Sequence, residues 1–160
     1  PYLSLGEPTN QNLKRLLNSS GVLDRDNKGI HTGNEVAASA LGTDLAQPTK
    51  VSDLYQKSDY PQILDERGLD HCFLMKKNKM QQPDAVLVSD LTGVTLAIYS
   101  NQSAMQVYTG QYLASPLRPY EGICLEPQGY TDAINQPGFP SILIDSDQTY
   151  QHTSLLEFSR

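Results

Sequence analysis

Short apolar runs separated by turn-forming residues set the pattern of this chain. Ala85 to Ser89 (AVLVS) and Val94 to Tyr99 (VTLAIY) flank Asp90-Leu91-Thr92-Gly93, which predicts a β-hairpin closed by a short glycine-containing loop. Met105 to Tyr108, Ile123 to Glu126, Ser141 to Ile144 and Ser154 to Phe158 alternate with a period of two or are apolar throughout, as strands do. Gly68 to Phe73 reads as the polar start of another apolar strand. Two segments suit helices. In Asn12 to Leu17 (NLKRLL), Leu13, Leu16 and Leu17 fit one helical face, and Ser19-Ser20-Gly21 limit it to one or two turns. In Val51 to Gln56, Ser52 is a candidate cap. Lys57 to Gly68 is polar, contains Pro61 and is expected to be a surface loop. With 10 prolines and 11 glycines spread through the chain, the rhythm favours an all-β stack of antiparallel sheets over a helical fold.

The 160 residues suffice for one domain with a real core, and no repeat or composition break divides residues 1–160 into more than a single unit. With 12 basic and 18 acidic residues the net charge is −6, which argues against a nucleic-acid partner. The densest basic run, Lys76, Lys77 and Lys79, suits a solvated hairpin tip. No apolar run approaches the ~18 residues of a membrane span. A soluble, cytoplasmic protein is expected. Cys72 and Cys124 stand among apolar neighbours without metal-type spacing, so both are expected to be small buried residues. The sequons at Asn18-Ser19-Ser20 and Asn101-Gln102-Ser103 carry little weight without a secretion signal. Pro1-Tyr2-Leu3-Ser4-Leu5 resembles an entry part-way through a structural element, as in a piece of a longer protein.

Candidate chemistry centres on Gly122 to Ile144 (GICLEPQGYTDAINQPGFPSILI). There Glu126 ends an apolar run and is followed by a loop rich in hydrogen-bonding side chains, including Gln128, Asp132 and Asn135. A carboxylate at a strand end before such a turn is well mounted to serve as a base, although most such residues are solvated loop acids. Asp70 and His71 form a polar pair at the start of an apolar strand. Either Asp70 faces a polar pocket or the two residues satisfy each other and the backbone locally. His31 lies in a Gly29-to-Gly33 turn, and His152 in a polar run near the C-terminus. There is no Gly-x-Ser-x-Gly elbow, phosphate-binding glycine loop or His-Glu-x-x-His helix. What remains is a pair of carboxylates, Asp70 and Glu126, with planar polar side chains nearby, which is equipment for handling sugars.

In chain order, GIHTGNE, LGTDL, GLDHCFLM, QVYTGQYL and CLEPQGYTDAINQPGFPS resemble the C-terminal half of the aldose 1-epimerases, the galactose mutarotases. The resemblance runs from Tyr2 to Phe158. It implies an antiparallel β-sandwich with a hexose in an open cleft, interconversion of α and β anomers, and no cofactor or metal. Glu126 matches the family's base, which removes the anomeric proton, and Asp70 matches an aspartate that binds sugar hydroxyls. Gln128 and Asn135 match positions that shape the pocket.

Departures are as informative as matches. Leu69 and Val107 stand where the family has aromatics and are expected to loosen the apolar floor under a sugar ring. His31 replaces a turn proline, and Gly42-Thr43-Asp44-Leu45 is a shortened family segment. The family's proton donor is a histidine that aligns immediately before Pro1. The chain is therefore expected to be the C-terminal part of an epimerase, inactive or nearly so alone, with its own N-terminal portion or a homodimer mate as partner. The competing readings are a non-catalytic carbohydrate-binding relative of the same fold and a glycosidase using Asp70 and Glu126.

Overall fold

The computed structural model describes residues 2–76 and 80–160; Lys77 and Lys79 of the basic run lie outside the described residues, and Lys76 is exposed. After a 3₁₀ turn at Asn10–Asn12 come β1 (Lys14–Leu17), β2 (Ser19–Arg25) and β3 (His31–Ala37), a second 3₁₀ turn at Ala38–Leu41, and β4 (Thr49–Lys50). Helices α1 (Val51–Gln56) and α2 (Pro61–Asp65) precede β5 (Asp70–Met75), β6 (Ala85–Val88), β7 (Thr95–Ser100), β8 (Ala104–Tyr108) and β9 (Cys124–Gln128). A 3₁₀ turn at Ala133–Asn135 and β10 (Ser154–Ser159) complete the chain.

These strands form two antiparallel sheets of five, ordered β10-β7-β6-β1-β4 and β3-β2-β5-β8-β9. The sheets correspond strand for strand, because β1 passes to β2 through Asn18 alone and β7 to β8 through Asn101–Ser103. Side chains alternate across a strand, so each sheet has one face for the core. Leu87, Leu96 and Ile98 of the first sheet meet Phe73, Met105 and Val107 of the second in one buried cluster. At the β1–β4 end, Leu41, Leu45, Val51, Leu54 and Ile63 from turns and helices close that cluster. No described helix is long and apolar enough to cross a membrane.

The predicted hairpin is present, with Gly93 N–H donating to Ser89 O at 2.9 Å and Gly93 at φ +72°. Five expectations fail. Asn12 to Leu17 is no α-helix: Asn12 ends the 3₁₀ turn, and from Leu13 into β1 the chain buries Leu13, Arg15 and Leu17 alternately, with β1 pairing β6 from Lys14↔Val88 to Leu17↔Ala85. Arg15 disguised that alternation, since its guanidinium is buried and donates to the carbonyls of Asp44 (3.0 Å) and Leu45 (3.2 Å); burial pushes its pKa down to about 10. Val51–Gln56 is a helix as expected, but Lys50 occupies the N-cap and Ser52 lies inside. The supposed loop Lys57 to Gly68 contains α2, with Pro61 opening it and Ile63 fully buried. Ser141 to Ile144 is no strand, and Ile142, Leu143 and Ile144 are exposed. His31 likewise opens β3 rather than lying in a turn.

Candidate functional site

The second sheet carries two different faces. Its inner parity holds Phe73, Met105, Val107 and Leu125; its outer parity holds Asp70, Cys72 and Leu74 on β5, Ala104, Gln106 and Tyr108 on β8, and Cys124, Glu126 and Gln128 on β9. Register aligns them in rows: Asp70 faces Tyr108 and then Cys124, while Cys72 faces Gln106 and then Glu126. Directly opposed residues share a face, so Asp70 and Glu126 project from the same side of the sheet.

Gln106 stands between them. Its Nε2 donates to Asp70 Oδ1 at 2.7 Å, while its Oε1 is buried without a hydrogen-bond partner among the described residues. Asp70 and Gln106 are half-buried and Glu126 is exposed. Burial raises the Cys124 thiol pKa, and the Glu126 and Asp70 carboxylates raise it further. Tyr108 is raised chiefly by burial, with Asp70 among the contributing charges; its ring lies 6.4 Å from that of Tyr2. Two carboxylates and a tyrosine on one face, with Gln106 holding Asp70, can exchange hydrogen bonds with vicinal hydroxyls, each of which offers one donor and one acceptor.

His71 points the other way, into the core. It is fully buried, packs edge-on to Tyr60 (6.2 Å) and has Nε2 3.0 Å from an Arg25 guanidinium nitrogen. Burial, with Arg25 adding to it, lowers its pKa to about 3. Asp70 and His71 therefore do not form a side-chain pair; only the Asp70 N–H reaches His71 Nδ1, at 3.1 Å.

Gln128 shares the outer face at the end of β9, where Nε2 donates to Thr131 Oγ1 at 2.9 Å. Asn135 lies exposed in the following loop and donates to Asp132 Oδ1 at 2.6 Å, while Gln136 donates to His31 O at 2.9 Å. That loop folds back over the outer face, burying Ala133 and Phe139 against Leu23, Cys72, Leu74 and Ala104. It walls one end of the surface and leaves Asp70, Gln106 and Glu126 open at the other. Leu69 and Val107 are buried in the sandwich core, so neither belongs to an apolar floor on this surface. A cavity of about 580 Å³ lies away from the carboxylates, against the 140–151 loop. Among the described residues, no three His, Cys, Asp or Glu side chains converge as metal ligands would.

Gln106 is the residue that motif reading missed. Its signal was strand parity: in Gln106-Val107-Tyr108 the polar residues fall on the parity shared with Glu126 once β8 and β9 are paired.

A sequence model of the aldose 1-epimerase family matches residues 1–157. The chain is 28% identical to galactose mutarotase from Bos taurus over 162 aligned residues, covering 96% of this chain and 46% of that protein. It is 33% identical to aldose 1-epimerase from Haemophilus influenzae over 130 residues, covering 76% and 36%. The crystal structure of the GalM/aldose epimerase homologue from C. elegans superposes with a TM-score of 0.82 at 16% identity, covering 96% of this chain and 47% of that one. The chain thus spans about half the length, or less, of these relatives.

Proposed function

The chain belongs to the aldose 1-epimerase family, and from that premise we propose that it supplies the base-bearing half of a hexose mutarotase. Glu126 takes the proton from the C1 hydroxyl while an acid protonates the ring oxygen; the ring opens, rotation about C1–C2 exposes the other face of the aldehyde, and closure reverses both transfers. Asp70 and Gln106 hold hydroxyls of the sugar, with Gln128 and Asn135 shaping the end of the surface where the β9 loop folds over.

The observation that carries this reading is the shared outer face, on which Gln106 bonds to Asp70 at 2.7 Å and sits directly opposite Glu126. Preordered hydroxyl acceptors beside an exposed carboxylate suit proton abstraction from a bound sugar better than a structural role. In this reading the acid is the family's histidine, which the resemblance aligns outside the 160 residues. Leu3 pairs antiparallel with Ile123 through two backbone bonds of 2.8 and 2.9 Å. Positioned acids and bases each contribute typically ~10²–10⁴-fold, so the 160 residues without that histidine turn over slowly or not at all.

Polarimetry on freshly dissolved α-galactose or α-glucose tests the proposal. Expected is a background rate from the 160 residues and fast mutarotation once the upstream segment is supplied. A full rate from the 160 residues refutes the missing-acid reading, and unaltered mutarotation in Glu126→Gln refutes the base. The open position of Glu126 also favours a second reading, in which the chain binds hexose without turnover; it predicts saturable binding by calorimetry and no rate with either segment.

A further inference from the structure

Apolar burial fixes the parity of β8 and β9 but leaves one ambiguity. Met105 and Val107 on β8 and Leu125 on β9 belong to the core. A slip of two residues keeps that parity and leaves every inward side chain inward. It would nevertheless set Gln106 opposite Cys124 or Gln128 instead of Glu126. The connection does not forbid such a slip, because residues 109–123 are far longer than a tight hairpin turn. Asn10, the first residue of the opening 3₁₀ turn, stands at the neck of that connection. It is fully buried, and its Nδ2 donates to Thr109 O and to Gly122 O, both at 2.7 Å. Thr109 directly follows β8, and Gly122 comes two residues before β9. The Asn10 N–H donates to Tyr120 O at 2.8 Å, and the Tyr120 N–H donates in turn to Gly110 O at 2.8 Å. Asn10 Oδ1 is buried without a partner among the described residues. Both side-chain partners are carbonyls, so only the NH₂ end of the amide can face them, and its own acceptor goes unmet as a consequence. The neck is also tight: Gly110 is left-handed at φ +68°, and a Cβ there would stand 2.6 Å from Gly122 O. A slip of two residues moves one carbonyl about 7 Å along the strand relative to the other, beyond the span of one amide group.

We propose that Asn10 is a positioning residue of the site: it locks the register of β8 against β9 and so holds Glu126 at a fixed distance from Asp70 and Gln106. The role of those three residues rests on the mutarotase reading above, whereas the lock does not. The groups that hold the sugar lie on β5 and β8 and are tied to each other by the bond from Gln106 to Asp70, while the base lies on β9. Freeing β9 therefore displaces the base from a sugar that is still bound. The kinetic mark of a lost lock is a fall in kcat with KM little changed.

Asn10→Asp keeps the shape of the side chain and, at neutral pH, loses both donated hydrogens. Register is read from cross-strand NOEs in the 160-residue chain, and kcat and KM from polarimetry on α-galactose with the upstream segment supplied. Expected are loss of the contact between residues 106 and 126 and a kcat lower by about 100-fold, with KM within about threefold of wild type. Gly110→Ala forces the same neck apart from the other side, and it should give the same pair of changes even where Asn10→Asp fails to fold. Leu87→Ala truncates the core in the other sheet and isolates the effect of stability: it should lower the unfolding midpoint and keep both the 106–126 contact and kcat. An unchanged contact in Asn10→Asp and Gly110→Ala, or its equal loss in Leu87→Ala, overturns the lock. Loss of the contact with kcat unchanged overturns the positioning role. A wild type that never mutarotates, while Asn10→Asp still loses the contact, sinks the catalytic reading and leaves the lock standing.

Discussion

His71 should make the stability of this chain fall as pH drops through the histidine range. An Arg25 guanidinium nitrogen lies 3.0 Å from Nε2, and the Asp70 N–H lies 3.1 Å from Nδ1. Both neighbours only donate. A neutral ring can accept from one of them, and an imidazolium from neither. Burial, the larger cause, and the Arg25 charge lower the pKa from 6.5 to about 3 in the folded state. Where a base has its folded pKa depressed, the unfolded chain binds the proton first, so stability is complete above the unfolded value and is lost as pH falls below it. With one pKa unit equal to about 1.4 kcal/mol, the loss between pH 7 and pH 5 is about 2 kcal/mol, before most carboxylates begin to titrate.

Urea unfolding at pH 7 and pH 5 measures this directly, with His71→Gln as the comparison. The variant keeps an acceptor for Arg25 and removes the titration, while His31 and His152 remain in both proteins and cancel. Wild type should lose about 2 kcal/mol more than the variant across the two pH values. Equal losses would refute the reasoning, as would a His71 ring proton that titrates near pH 6 by NMR in the folded chain. The consequence reaches the site, because His71 anchors the strand start from which Asp70 projects on the opposite face.

Four further substitutions probe the sheet and its outer face. Glu126→Gln, measured by polarimetry with the upstream segment supplied, should lower mutarotation by ~10²–10⁴-fold and, at an exposed position, shift the unfolding free energy by less than about 0.5 kcal/mol. Gln106→Leu removes the donor to Asp70 and should weaken hexose binding by about tenfold in titration calorimetry, the worth of one modest hydrogen bond. Val107→Phe restores a family aromatic at a position that is core here; overpacking should cost about 1–3 kcal/mol in urea, with no gain in sugar affinity. Gly21→Ala should cost about 3 kcal/mol or more, the upper range for overpacking, because a Cβ there would stand 2.1 Å from the Val36 carbonyl oxygen.

The legible parts of the fold were those whose signal is local. The β6–β7 hairpin announces itself through alternation on both sides of a glycine turn, and β8, β9 and β10 through short apolar or alternating runs. Misreadings arose where tertiary contacts override local pattern. Arg15 occupies a core position and makes β1 look helical, because its Nη1 finds the Asp44 and Leu45 carbonyls, 29 and 30 residues away in sequence. The strand β3 has a mostly exposed face and so lacks an alternating signature. Ile142 to Ile144 has the composition of a strand, but it joins no ladder among the described residues and stays exposed.

The site was legible by a different route, since motifs pointed to Glu126 and Asp70 without revealing what joins them. That link depends on register: a shift of β8 by one residue would turn Gln106 inward and bring Val107 out. Long connections separate β5, β8 and β9, so no hairpin rule fixes their alignment in advance. It is set instead by burial of Phe73, Met105, Val107 and Leu125 on the inner parity. Their apolar side chains hold the inner face of the sheet, and ionised carboxylates, costly to bury unpaired, are left to the outer one. The packing that makes the second sheet one wall of a core thus also lines up Asp70, Gln106 and Glu126 on its open face.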